Sequence, residues 1–301
     1  MTPNKLLSFL LCLISLFIFS CVKENSPRIA STLEGVDYDG NTLLEVTFKD
    51  ESRMYFKLND NATAEVVRGS IFYTDSPEWS VWVYRGDIII PEEIKHNGKT
   101  YKVTSIGDHA FYPKYSFNAT STSLISSVTL PSTIDTIHEN AFLSCEYLSS
   151  INNLQSVKFI GANAFNGCWN LRSITIPNTV AEIYPGTFHA CAFDTLELPN
   201  TIIAIDDYAF GYCSNLTNFD IPASVQFFGM FVLDGCKNLK TITCHPPIPP
   251  RMVTQEYGVG DYIILSISDL NIEKVYVPTE SVNLYKESPD WRYYKDIIVG
   301  F

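Results

Sequence analysis

One stretch of the sequence decides the fold: Ile160-Gly-Ala-Asn-Ala-Phe-Asn-Gly-Cys-Trp-Asn-Leu-Arg-Ser-Ile-Thr-Ile-Pro177. Closely similar sequences recur before and after it. Alignment on the phrase Ile-Gly-x-x-Ala-Phe-x-x-Cys finds six copies. Their central apolar slot holds Phe111, Phe142, Phe165, Phe188, Phe210 and Leu233, with separations of 31, 23, 23, 22 and 23 residues. A cysteine follows in five copies, at Cys145, Cys168, Cys191, Cys213 and Cys236. A period of this length predicts a stacked repeat architecture.

The second half of each copy predicts a short β-strand. Apolar and polar residues alternate in the pattern Leu-x-x-Ile-x-Ile-Pro, as at Ile174 and Ile176, which is the period of a strand with one buried face. Pro177 then ends the strand, because proline has no N–H to donate. The first half has no period of two and favours a short helical turn. We therefore predict a leucine-rich-repeat solenoid with one short strand and one short convex helical turn in each copy.

The repeated phrase resembles the BspA-like leucine-rich repeat family of bacterial surface lipoproteins, in which Ala-Phe-x-x-Cys and Ile-Pro replace the usual asparagine signature. The resemblance covers about Asp87 to Phe301, and it departs from the family phrase where His138, Tyr184 and Asp206 replace the glycine. It implies a lipid-anchored protein of the cell surface that mediates binding or adhesion to another macromolecule. A protein is the partner that this resemblance favours.

The first residues resemble a bacterial lipoprotein signal. Lys5 precedes the apolar run Leu6–Phe19, which has the length of a signal-peptide core and is short for a membrane-spanning helix. The run leads into Ile18-Phe-Ser-Cys21, which resembles a lipobox and implies lipidation of Cys21. An ordinary secretory peptide is the alternative. The implied location is the bacterial outer membrane, with the protein anchored by lipid and facing the cell surface.

The remaining sequence suggests an order of domains. Short runs rich in β-branched and aromatic residues lie between turn signals before the repeats, and Asn97-Gly98 predicts a two-residue hairpin turn. Bulky apolar residues such as Trp291 follow the last repeat, and repeat arrays need covered ends. We predict a signal peptide (1–20), a lipidated cysteine with a flexible stalk (21–32), a β-rich N-terminal cap (33–86), the repeat solenoid (87–278) and a mixed C-terminal cap (279–301).

Charge and motifs argue against several functions. The formal net charge of −12 disfavours nucleic acid and anionic lipid as partners. The chain has five histidines in different repeat slots and lacks the His-Glu-x-x-His, Cys-x-x-Cys, Gly-x-Ser-x-Gly and phosphate-loop phrases. We expect no enzyme activity, no cofactor and no metal site. We expect the repeated cysteines to be buried thiols, with disulfides or a metal site as the alternatives.

The outward positions of the predicted strands form the candidate binding surface. Equivalent positions of a solenoid lie side by side, so they line one sheet face of small polar groups and acids. We call this set the sheet-face strip: Ser150, Asn152, Ser173, Thr175, Thr195, Glu197, Asn218, Asp220, Thr241, Thr243 and Tyr276. A protein partner is the first hypothesis. An oligosaccharide, held with an aromatic residue from Tyr112, Tyr115 or Tyr276, is the second, and a purely architectural envelope protein is the third.

Overall fold

The computed structural model describes residues 27–36, 42–50, 52–68, 84–113, 124–252 and 272–301. The predicted signal peptide, Cys21 and Tyr115 lie outside these residues. The strands are β1 (Ile29–Val36), β2 (Thr42–Phe48), β3 (Arg53–Leu58), β4 (Thr63–Val67), β5 (Arg85–Ile89), β6 (Glu93–His96), β7 (Lys99–Ile106), β8 (Leu124–Thr129), β9 (Thr136–Ile137), β10 (Ser150–Asn152), β11 (Phe159–Ile160), β12 (Glu182–Ile183), β13 (Ala204–Ile205), β14 (Asn218–Ile221), β15 (Phe227–Phe228), β16 (Thr241–Cys244), β17 (Arg251–Met252), β18 (Lys274–Val277) and β19 (Ile298–Gly300).

An antiparallel meander of β1, β2, β3 and β4 precedes the repeats, and β4 then pairs in parallel with β7. The predicted hairpin at Asn97-Gly98 is confirmed, since β6 and β7 pair antiparallel around it and both turn residues have positive φ. Residues 29–32 belong to β1, where a flexible stalk is predicted. The predicted boundary between residues 86 and 87 lies inside β5.

The repeats contribute to two rows of parallel strands. In the first row, β5, β8 and β10 form one sheet, and β14, β16, β18 and β19 form another. In the second row, β7, β9 and β11 continue the sheet of the N-terminal meander, while β12, β13, β15 and β17 form a separate sheet. Strand pairing joins residues that are one repeat length apart: Ser150 pairs with Ser127, and Thr241 pairs with Asn218.

The predicted convex helical turn is wrong, because the structure has several sheets and few helices. The first half of a copy contains the second, two-residue strand, such as Phe159–Ile160 in β11, followed by a run of turns. Between residues 124 and 252 the only helical segment is the 3₁₀ turn Leu154–Ser156. The helix α1 (Val282–Glu287) and the 3₁₀ turns Thr279–Ser281 and Arg292–Tyr294 lie after the repeats.

Left-handed backbone explains why this segment does not form a helix. Two slots of the turn segment have positive φ in successive copies. The first slot holds His109, Asn140, Asn163, Gly186, Tyr208 and Phe231, and the second holds Ser144, Gly167, Ala190, Tyr212 and Gly235. A left-handed residue interrupts a right-handed helix. Alternate N–H groups donate to the next copy, as from Phe142 to the Ala164 carbonyl at 2.8 Å and from Phe165 to the Thr187 carbonyl at 2.9 Å. The N–H groups between them donate three residues back within the same copy, as from Asn166 to the Asn163 carbonyl at 3.1 Å.

A column of stacked phenylalanines forms the core beneath these turns. Phe142, Phe165 and Phe188 are each fully buried. The ring centroids of Phe142 and Phe165 are 5.1 Å apart and those of Phe165 and Phe188 are 5.6 Å apart, with nearly parallel planes. The stack continues to Phe111 and Phe210. The repeated phenylalanine therefore occupies an equivalent interior place in successive copies, as the period predicts.

The cysteine column lies beside the phenylalanines, and its predicted burial is confirmed. All five repeat cysteines are free thiols, each donating its S–H to the carbonyl of the preceding copy's phenylalanine. In Cys168, for example, Sγ lies 3.3 Å from the Phe142 oxygen. Burial raises the pKa of Cys168, Cys191 and Cys213 well above the ordinary thiol value. The slot thus favours a small side chain that can donate to a carbonyl of the preceding copy.

The C-terminal residues close over the proline-rich segment that follows β16. Tyr285 and Trp291 are fully buried. The Tyr285 hydroxyl donates to the Pro246 carbonyl at 2.8 Å, and the Trp291 indole N–H donates to the Pro250 carbonyl at 3.1 Å. These bonds satisfy carbonyl groups of a segment that has no strand partner of its own.

Candidate functional site

The sheet-face strip lies on the solvent side of the first strand row. In β14, Asn218 and Asp220 are exposed, whereas Phe219 and Ile221 are buried. Strand β16 has the same alternation of partly exposed threonines with buried Ile242 and Cys244. None of the eleven strip residues is buried. The alternation predicts which residues face outward, and a binding role for them stays a prediction.

The structure brings strip residues together in two groups. Near the N-terminal end, Ser150 and Asn152 pair with Ser127 and Thr129 of the neighbouring strand. Near the C-terminal end, Asn218 pairs with Thr241, and Asp220, Thr243 and Tyr276 follow one another across three strands. Between the two groups, Ser173, Thr175, Thr195 and Glu197 are exposed on a stretch where strand pairing is interrupted.

The tripeptide Arg85-Gly86-Asp87 lies beside the first of these groups. It forms part of β5, which pairs with β8. The Asp87 carboxylate accepts hydrogen bonds from the hydroxyls of Ser127 and Ser126 at 2.7 and 2.8 Å, and these bonds lower its pKa. Adhesion through an Arg-Gly-Asp tripeptide requires an exposed loop tip. Here Asp87 lies in a paired strand and is hydrogen-bonded to Ser126 and Ser127, so the tripeptide does not meet that requirement.

One of the aromatic residues proposed for sugar binding is already in contact with other side chains. The Tyr112 ring lies 5.5 Å from the guanidinium carbon of Arg68 and makes an edge contact with His109. Tyr276 is half-buried in β18, opposite Thr243.

The charge along the repeats is strongly uneven. From Ser173 to Cys236 the chain contains neither lysine nor arginine, but it contains seven acidic residues. These are Glu182, Asp194, Glu197, Asp206, Asp207, Asp220 and Asp234. The Arg172–Asp194 ion pair at 3.2 Å stands at one end of this segment. Any surface formed by these copies therefore favours a cationic partner.

A second surface, which the sequence reasoning missed, lies on the turn segments of the later copies. We call it the turn-face aromatic patch: His189, Tyr208, Tyr212 and Phe231. The rings of Tyr208 and Phe231 stack with centroids 5.0 Å apart, and the rings of His189 and Tyr212 lie 5.2 Å apart. The available signal was a tyrosine at two slots: earlier copies have histidine, asparagine or glycine at the first slot and serine, glycine or alanine at the second.

The described part of the chain contains no candidate metal centre. It holds no group of three or more His, Cys, Asp or Glu side chains that could bind a metal ion. His138 lies 3.5 Å from Glu65, and His96 lies 2.5 Å from Glu34. Burial lowers the pKa of His189, although the charge of Asp234 opposes this effect. Among the described residues, no helix has the length and apolarity needed to cross a membrane.

Comparison with solved structures defines the class of protein. A leucine-rich repeat protein from Bacteroides ovatus ATCC 8483 is 24% identical, with a TM-score of 0.56 over 75% of this chain and 58% of that chain. A leucine rich cell surface protein from Faecalibacterium prausnitzii A2-165 is 22% identical, with a TM-score of 0.51 over 84% of this chain and 72% of that one. At these identities the likeness concerns the fold alone, and it is that of a leucine-rich repeat protein. The chain thus spans little more than half the length of the Bacteroides ovatus protein.

The sequence of the repeats matches a known family. Residues 104–240 match the family described as BspA type Leucine rich repeat region, in six copies. Residues 104–240 are thus a BspA-type leucine-rich repeat region, which confirms over these residues the resemblance seen in the sequence. Proteins of this class are generally binding scaffolds rather than enzymes. No curated protein matches the sequence.

Proposed function

We propose that this protein is a lipid-anchored binding protein of the bacterial cell surface, and that its sheet-face strip binds another protein. The main support is that none of the eleven residues at equivalent repeat positions is buried, and that seven of them lie in strands of the first row. Extended faces of this kind are what repeat proteins use to bind their partners. In this proposal the two strand rows belong to one continuous solenoid, whose stacked phenylalanines keep the copies in register.

The acidic side chains of the strip support a partner with a basic surface. Glu197 and Asp220 are exposed and lie within the segment that has no lysine or arginine. Charges at a protein interface mainly steer association and exclude wrong partners. Tyr276, next to Thr243 in the register, supplies an aromatic residue of the type that dominates binding energies.

A combined substitution tests the strip. Immobilised protein is incubated with a soluble extract of host matrix, bound proteins are quantified by mass spectrometry, and a glycan array is probed in parallel. We expect the combination of Glu197→Ala, Asp220→Ala and Tyr276→Ala to reduce capture of specific proteins by about tenfold or more, because aromatic and paired charged residues contribute most to interfaces.

The matched control changes the other strand row. Glu182 and Gln226 are exposed there, so Glu182→Ala with Gln226→Ala should leave capture unchanged. Equal loss of capture in the strip and control variants would refute the role of the strip. A signal on the glycan array alone would replace the protein partner with an oligosaccharide.

The lipid anchor is tested separately, by labelling cells with radioactive palmitate. We expect the Cys21→Ala variant to lose the label and to leave the membrane, because acyl chains are what hold such a protein there. Cys12→Ala, which changes the cysteine inside the apolar run, should keep the label. Surface proteolysis of intact cells then reports which side the protein faces. Label retained by the Cys21→Ala variant would contradict the anchor.

A further inference from the structure

The turn-face aromatic patch has a defined shape that depends on glycine in neighbouring copies. A Cβ atom added at Gly211 would lie 2.9 Å from the His189 ring, and one added at Gly235 would lie 2.8 Å from the Tyr212 ring. Both rings therefore lie directly against glycine backbone of the next copy. Tyr208 stacks on Phe231 beside them, with the His189 and Tyr208 centroids 6.3 Å apart.

Backbone preference and burial do not explain the tyrosines of this patch. Tyr208 and Tyr212 have φ values of 54° and 59°, a region that bulky residues rarely adopt. Earlier copies place Asn163 in the first of these slots and Gly167 in the second. The tyrosine side chains also remain 40% and 51% exposed. Aromatic residues that combine an unfavourable backbone φ with an exposed side chain are typical of functional surfaces rather than of a core.

The charge around the patch is negative. The patch lies within the segment from Ser173 to Cys236, which has seven acids and no lysine or arginine. The Tyr212 N–H donates to the Asp234 carbonyl at 2.6 Å, and the Met230 N–H donates to the Asp207 carboxylate at 2.6 Å, so both acids adjoin the patch. Burial raises the pKa of Tyr208, and the charges of Asp234 and Asp207 raise it further. Burial also lowers the pKa of His189, against the opposing effect of the Asp234 charge. Exposed aromatic faces flanked by carboxylates attract cations.

We propose that the turn-face aromatic patch binds a cationic side chain, arginine above lysine, presented by a partner protein. The cation would lie over the Tyr208 and Tyr212 rings with the Asp234 carboxylate alongside. Arginine is favoured because its planar guanidinium stacks on aromatic rings as well as pairing with a carboxylate. This site is separate from the sheet-face strip and does not depend on it.

The repeats themselves supply variants that remove the rings without damaging the fold. Tyr208→Asn and Tyr212→Gly introduce the residues found at Asn163 and Gly167, which suit left-handed backbone better than tyrosine does. We expect both variants to unfold at a temperature equal to or above that of the native chain. Asp234→Asn removes the charge and keeps the side-chain shape. Tyr147→Ala, at a 50% exposed tyrosine outside the patch, is the control.

The test uses short synthetic peptides in which arginine, lysine or glutamine alternates with glycine and serine, with binding measured by calorimetry. We expect binding in the order arginine, lysine, glutamine, and about a tenfold loss for the arginine peptide with Tyr208→Asn, Tyr212→Gly or Asp234→Asn. The Tyr147→Ala variant and the strip variant Glu197→Gln with Asp220→Asn should bind as the native chain does.

Three results would overturn the proposal. The first is arginine-peptide binding that is equally strong in the native chain and in the Tyr208→Asn/Tyr212→Gly double variant. The second is the absence of any difference between the arginine and glutamine peptides. The third is binding of neutral oligosaccharides that is lost in the double variant while the arginine peptide does not bind, which would make the patch a sugar-stacking surface. The strip variants show separately whether the proposed function fails, because they leave the four patch residues, Asp207 and Asp234 unchanged.

Discussion

Replacing Phe165 by alanine is expected to lower the free energy of unfolding by about 3–5 kcal/mol. The ring is fully buried and stacks against Phe142 on one side and Phe188 on the other, with centroid distances of 5.1 and 5.6 Å. Its removal therefore leaves a cavity at the middle of the column, and hydrogen-bonded backbone on both sides hinders collapse of that cavity. Urea unfolding followed by circular dichroism at 25 °C measures the change.

Trp169→Ala is the matched control within the same copy. This indole is 59% exposed, so its loss should change the free energy of unfolding by no more than about 0.5 kcal/mol. Comparable losses in the two variants would mean that the phenylalanine column is not the core of the repeats.

The second large effect is a loss of stability at alkaline pH. Burial raises the pKa of Cys236 to about 12 and that of Cys168, Cys191, Cys213 and Cys244 well above the ordinary thiol value. In the unfolded chain these thiols ionise near pH 8.5. Their stabilising contribution is thus fully present below about pH 8.5. It is lost as the pH rises toward the folded-state pKa, because the unfolded chain releases its thiol protons first.

We expect the free energy of unfolding to fall by about 1.4 kcal/mol per pH unit for each such thiol above pH 8.5. Five thiols make the decline several times steeper than a single one would. Urea unfolding at a series of pH values, with reductant present, measures this slope.

The variant Cys168→Ala separates ionisation from packing. It should be less stable than the native chain at pH 7, because it leaves a small cavity, yet its stability should fall less steeply with rising pH. A slope identical to that of the native chain, or a native stability that does not change up to pH 10, would contradict the assignment.

Much of the interior could be predicted from the sequence alone. The phenylalanines and cysteines recur at a fixed period, and residues at equivalent positions of a repeat array stack on one another. The period therefore gave the burial of Phe142 and Cys145 without any knowledge of coordinates. The alternation in Asn218–Ile221 likewise gave the outward residues of the strip, because successive residues of a strand point to opposite faces.

The turn segment could not be predicted in the same way. Its residues, such as Ala164, Phe165 and Asn166, are compatible with a helix, and nothing local shows that the Phe165 N–H donates to Thr187, 22 residues further along the chain. The patch was missed for the same reason. His189, Tyr208 and Phe231 belong to three different copies, and they meet only because the copies stack.

The sequence by itself thus determined the class of protein, the length of each copy and the identity of its buried columns, because these depend on periods that can be read along the chain. Tertiary structure alone decided that alternate N–H groups of the turn segment donate to the next copy, and that rings from three copies form one surface next to the backbone of Asp234. The physical reason is that backbone hydrogen bonds and ring contacts between copies join residues about one repeat apart, and their geometry follows from how the copies stack.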